Sequence, residues 1–136
     1  MRILSLSLSA AFASAFALSC QAADFDGSKP FLCSTIDVAS CVPGQDCARE
    51  SAQTVSAPEF FTIDVGKKLV SEVGANGTPR ISKIDRVDHQ SGLLLLEGTD
   101  GAQAWAASVG ESNGKVSYSV VGDRVVVVAF GACLNR

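Results

Sequence analysis

From Phe31 to Gly131 the chain is a series of short apolar and β-branched runs cut by turn residues, and the cuts are short. The runs are Phe31–Val38, Phe60–Val65, Lys68–Val73, Arg80–Asp88, Leu93–Glu97, Ala102–Val109, Lys115–Val121 and Arg124–Gly131. Gly66-Lys67, Asn76-Gly77, Q-S-G, G-T-D-G, G-E-S-N-G and Gly122-Asp123 separate the later ones. Connections of about two to six residues cannot carry a parallel crossover, which needs a dozen or more. They join antiparallel neighbours. The expected fold is therefore all-β: a single antiparallel meander of about eight strands that closes as a small barrel or a curved sandwich.

Local pattern refines this. Val116, Tyr118 and Val120 alternate with Ser117 and Ser119, as in a strand with one wet face. R-V-V-V-V-A-F-G is continuously apolar and reads as a central or doubly covered strand. In I-S-K-I-D-R-V-D, Ile81, Ile84 and Val87 recur every third residue, which fits a bulged strand or a short helix. Asp46 to Ser56 has an N-cap candidate in Asp46, then helix formers, and stops before Pro58. It predicts one short helical segment. The stretch from Ala23 to Ser28 is expected to be a mobile terminus.

The compartment decides what a cysteine can be. M-R-I-L-S-L-S-L-S-A-A-F-A-S-A-F-A-L-S-C-Q-A-A has a positive start, an uncharged apolar stretch and a small-x-small end at Cys20 and Ala22. That is the pattern of a signal peptide over residues 1–22, leaving a single β domain over residues 23–136. Leu18-Ser19-Cys20 looks somewhat like a lipobox, but Ala17 stands where its leucine belongs, so lipid anchoring through Cys20 is the lesser expectation. No later apolar run approaches the ~20 residues of a spanning helix. The expected location is the periplasm or the medium.

With Cys20 removed or acylated, Cys33, Cys41, Cys47 and Cys133 remain, an even set in a small exported chain. That reads as a disulfide framework. Zinc would need about four ligands at tighter spacing, and thioredoxin-like chemistry needs C-x-x-C. Of three connectivities, Cys41–Cys47 with Cys33–Cys133 is favoured. Pro43-Gly44 turns the chain locally, and the first and last strands of an even meander run antiparallel.

Catalytic signals are sparse. His89 is the single histidine, beside Asp85 and Asp88, with no nucleophile elbow or activated thiol. D-F-D-G at Asp24 to Gly27 matches only a fragment of a calcium loop. We expect no enzyme activity, cofactor or metal. Trp105 and Tyr118, the sole Trp and Tyr, sit within strands as core residues or as a ligand-stacking wall. Phe60 and Phe61 must face opposite sides of their strand. These four aromatics are the candidate contact residues. Over residues 23–59, six acids against Lys29 and Arg49 would suit a cationic partner, a protein or an envelope component. No basic run suggests nucleic acid.

D-G-S-K-P-F-L-C (Asp26–Cys33), C-V-P-G-Q-D-C, F-F-T-I-D-V-G-K-K and the closing F-G-A-C resemble small exported proteobacterial proteins of unknown function. The resemblance implies export and a disulfide-bonded β fold, and no mechanism. The β-barrel inhibitors of c-type lysozyme are similar in size and acidity. Their S-G-x-x-Y stretch is only loosely echoed by Ser112 to Tyr118, so no inhibitory residues carry over. The expected function is a non-enzymatic binding or inhibitory module. The alternatives are a structural or stress-related envelope protein and a hydrolase using scattered carboxylates.

Overall fold

A computed structural model describes residues 24–73 and 77–135. The expected leader, Cys20 and Asn76 of the Asn-Gly turn lie outside them. The described residues form ten strands: β1 (Phe31–Cys41), β2 (Ala48–Glu50), β3 (Phe60–Asp64), β4 (Leu69–Val73), β5 (Pro79–Lys83), β6 (Arg86–Gln90), β7 (Leu93–Asp100), β8 (Gln103–Gly110), β9 (Lys115–Val121) and β10 (Val126–Asn135). They make one antiparallel sheet in the order β5-β4-β3-β1-β10-β9-β8-β7-β6, with β2 added to β1. The sheet curls into a half-barrel.

The two ends of the sheet are one piece of chain. Only Ile84 and Asp85 separate β5 from β6. Ile84 N–H donates to Lys68 O (2.9 Å) and Asp85 N–H to Glu97 O (2.8 Å), so consecutive residues bond to opposite ends of the sheet. This explains the ambiguous I-S-K-I-D-R-V-D pattern. The chain changes partner at Ile84, which is buried, while Ile81 is exposed. Gly98 makes the crossing possible, because a Cβ there would collide with Lys83 O and the Trp105 indole.

β1 and β10 are neighbours, the first and last strands joined. Cys33 faces Cys133 in their register, and the two are bonded. Both are buried, so this bond lies inside the core. A register shift between Thr35 and Asp37 marks a bulge at Ile36. It keeps Thr35 and Val38 both facing inward, although they are three residues apart.

The expected helix does not form. Cys41 and Cys47 are bonded, which turns the chain back on itself. β3 pairs with β1 only over Phe31–Ser34, leaving the edge at Val38–Ser40 unpaired. Ala48–Glu50 fills it as β2, and turns occupy the rest up to Ala57. Ladder bonds to a waiting strand edge outweigh the helix propensity of A-R-E-S-A-Q.

The interior is divided along the barrel axis. Register places Phe31, Cys33, Ile63, Leu94, Val109, Val116 and Cys133 toward one end, where they form the main core cluster. Phe25 plugs that end, against the expectation of a mobile terminus. It packs edge-on against Phe31 with centroids 5.6 Å apart, and its N–H donates to Glu111 O at 3.1 Å. Gly114, at φ +65, lies directly under its ring. A lone aromatic in D-F-D-G was the available sign. The other end of the barrel is open.

Candidate functional site

The open end is a cavity of about 600 Å³. It exists because the inward positions there carry small or branched side chains, Val70, Ala107, Val120 and Val127 among them, that do not meet across the axis. Leu96 and Ile63 make the floor, and both are nearly fully buried. Thr54 to Pro58, the strap that follows β2, lines one side. The strap is tied down at the bulge: Thr35 N–H donates to Glu59 O at 2.9 Å, and Thr35 Oγ1 donates to Pro58 O at 2.6 Å.

Three aromatic side chains furnish the walls. Phe61 and Tyr118 meet edge to face with centroids 5.5 Å apart. The Thr35 hydroxyl proton is committed to Pro58, so Tyr118 O–H donates to Thr35 Oγ1 at 2.9 Å. Burial pushes the Tyr118 phenol above its usual 10.0. Trp105 sits against Gly98, whose missing side chain leaves room for the indole. Its Nε1–H is enclosed in the wall and has no partner among the described residues. An enclosed donor of this kind costs about 1–3 kcal/mol until an acceptor reaches it.

The polar groups gather on one side of the mouth. Glu72 and Arg80 face each other across β4 and β5, with Arg80 Nε 3.3 Å from Glu72 Oε1. Arg80 Nη2 also reaches Asp100 Oδ2 at 3.0 Å, and Ser82 Oγ donates to the same oxygen at 3.2 Å. Here the seam between β5 and β7 is closed by side chains rather than by backbone. Glu72 is the least exposed of the three charged groups, with 14% of its side chain open to solvent. Burial raises its carboxyl above the usual 4.5; the Arg80 charge opposes that shift and the Asp100 charge adds to it. Glu50 contributes a further carboxylate to the lining.

The four candidate contact aromatics do not share a surface. Phe61, Trp105 and Tyr118 line the cavity, whereas Phe60 points outward and is exposed. Outside, Phe60 joins Ile36, Phe130 and Leu134 on the outer face of β3, β1 and β10, all more than half exposed. His89 does not line the cavity. Its Nδ1 is 2.7 Å from Glu111 Oε1, Asp88 Oδ1 accepts its backbone N–H, and Asp85 takes the Thr99 hydroxyl. Each of the three side chains thus has a different partner. Asp26 Oδ1 accepts from Ser28 N–H at 2.8 Å, and the Ser28 hydrogen bonds hold its carboxyl below the usual range. Among the described residues no three His, Cys, Asp or Glu side chains gather as a metal-holding group.

Sequence reasoning named two of the cavity aromatics as a stacking wall but missed Glu72, Arg80, Ser82 and Asp100. Glu72 comes from the Lys68–Val73 run, Arg80 and Ser82 from the Arg80–Asp88 run, and Asp100 from the G-T-D-G turn, all ordinary polar positions. The usable signal was parity: Val70 and Glu72 share a face, as do Arg80 and Ser82, so charged side chains sit on the inward face near one end.

No family model, curated protein or solved structure matches the chain. Two intramolecular disulfides fit an oxidising, extracytoplasmic environment.

Proposed function

We propose that this protein is an exported, periplasmic, non-enzymatic binding module whose half-barrel holds one small molecule with an apolar body. The observation that carries the reading is the cavity itself. Its volume of about 600 Å³ lies in the range of small-molecule sites, and its apolar floor and aromatic walls with a polar rim have the usual make-up of one. Arg80 holds both carboxylates of the mouth, an arrangement for orientation rather than for acid–base work.

The test is a titration of the purified protein with N-phenyl-1-naphthylamine, a neutral apolar fluorophore. Trp105 is the only tryptophan, so its emission reports the same event from the protein side. Saturable one-to-one binding that Ala107→Phe abolishes supports the reading. A folded protein that shows no saturable binding by either signal refutes it.

A second reading rests on a separate observation. The exposed side chains of Ile36, Phe60, Phe130 and Leu134 form an apolar outer face of the kind that contacts an envelope component. Co-sedimentation with envelope fractions that Phe60→Ser and Phe130→Ser abolish would favour it.

A further inference from the structure

We infer that the ligand of the cavity is an organic cation: an ammonium group on an apolar chain or ring, with the cation held between Glu72, Asp100 and the aromatic walls. This rests on the proposed binding function and names the chemistry that the same site selects.

The charge balance at the mouth carries the inference. Among the described residues Arg80 is the one cationic side chain in the lining, against Glu50, Glu72 and Asp100. Its guanidinium is already engaged on two sides, by Glu72 at 3.3 Å and by Asp100 at 3.0 Å. An anionic head would have to take it from both. The trio of Glu72, Arg80 and Asp100 keeps one negative charge in excess, and Glu50 adds another. That excess stands over a low-dielectric interior, where a charge acts more strongly than it does in water. The aromatic groups agree in sign. The faces of Trp105, Tyr118 and Phe61 attract an ammonium and repel a carboxylate, by about 0.5–2 kcal/mol per good contact. A neutral ligand would leave the half-buried Glu72 carboxylate with Arg80 as its only counter-charge. A cation supplies a second one and opposes the burial that raises its pKa.

Proton linkage follows from this. A cation next to Glu72 favours its ionised form, so binding expels the proton that burial helps Glu72 retain. Affinity for the cation therefore rises with pH from about 4 toward neutrality and then levels off. The charged and titratable groups that interact with Glu72 are Arg80 on β5, Asp100 on β7 and Tyr118 on β9, and Glu50 on β2 shares the same lining. Tyr118, whose phenol burial pushes up, stays neutral over that range.

The experiment displaces the naphthylamine probe with three ligands that share one chain: decyltrimethylammonium, decanol and decanoate. The cation should displace it at about one-tenth of the concentration needed by the other two. Glu72→Gln should bring the cation and the alcohol to within about twofold of each other. Asp100→Asn is the parallel variant if Glu72→Gln folds poorly. Decanoate displacing as well as the cation, or better, would overturn the assignment and make Arg80 the anchor, with the cavity function intact. Equal displacement by all three would also overturn it, because the body alone would then bind. A protein that binds neither the probe nor any of the chains refutes both the cation and the cavity.

Discussion

The disulfide between Cys33 and Cys133 should carry more stability than the one between Cys41 and Cys47, by an amount that can be worked out. Its sequence separation is 100, against 6 for the other. Chain entropy assigns about 4.7 kcal/mol to closing a loop of about 100 residues and about 2.4 kcal/mol to one of about seven. Location widens the gap. Cys33 and Cys133 are buried at 0% and 5% exposure, so removing their sulfurs also empties core volume, adding about 1 kcal/mol. Cys47 is exposed, and its removal empties nothing. The paired replacements Cys33→Ala/Cys133→Ala and Cys41→Ala/Cys47→Ala are the fair comparison, since neither leaves a lone thiol. The assay is equilibrium urea unfolding of each, without reductant. With a slope of about 1.5 kcal/mol per molar, the midpoint should fall by about 3–4 M for the first and about 1.5 M for the second. Equal losses, or a larger loss for the second pair, would show that loop length and burial do not govern these bonds. The reasoning would then be wrong.

Loss of Cys41–Cys47 should also weaken binding, because that loop seats β2 and the strap along the cavity; probe affinity should drop about tenfold under conditions where the protein stays folded. Unchanged affinity would show that the strap does not shape the site. Gly98→Ala should destabilise by about 2 kcal/mol or more and shift Trp105 emission, since its Cβ would meet both Lys83 O and the indole. A neutral substitution there would contradict the crossing of β5 over β7. Glu72 has a raised pKa in the folded state, so the stability it contributes is full below 4.5 and is lost as pH rises through its folded value. Denaturation from about pH 4 to pH 7 should therefore show the native protein losing stability relative to Glu72→Gln, and an opposite trend would reverse the assigned cause.

Much of the framework was legible in the sequence because it rests on local rules. Short turns force antiparallel neighbours, and a meander of even strand number brings its ends together, which is why the pairing of Cys33 with Cys133 could be anticipated. Seven of the eight anticipated runs appear as strands within a few residues of their expected limits, and the eighth, Arg80–Asp88, spans β5 and β6. Phe60 and Phe61 face opposite sides, as period-two alternation requires.

The tertiary structure decided what depends on residues distant in the chain. Asp46 to Ser56 lost its helix to an open edge on β1 that no local pattern announces. Phe25 is a plug because Gly114 and Phe31 leave a place for its ring, and nothing within Asp24 to Ser28 encodes that place. The cavity is also a collective property: small side chains at inward positions of several strands leave a void only once the sheet has curled. Glu72, Arg80 and Asp100 become one group only through β4–β5 pairing and the meeting of the sheet's two ends. Sequence patterns set which face each side chain takes, because that follows from backbone geometry. Which faces meet, and what space they enclose, follows from curvature and closure, to which the whole chain contributes.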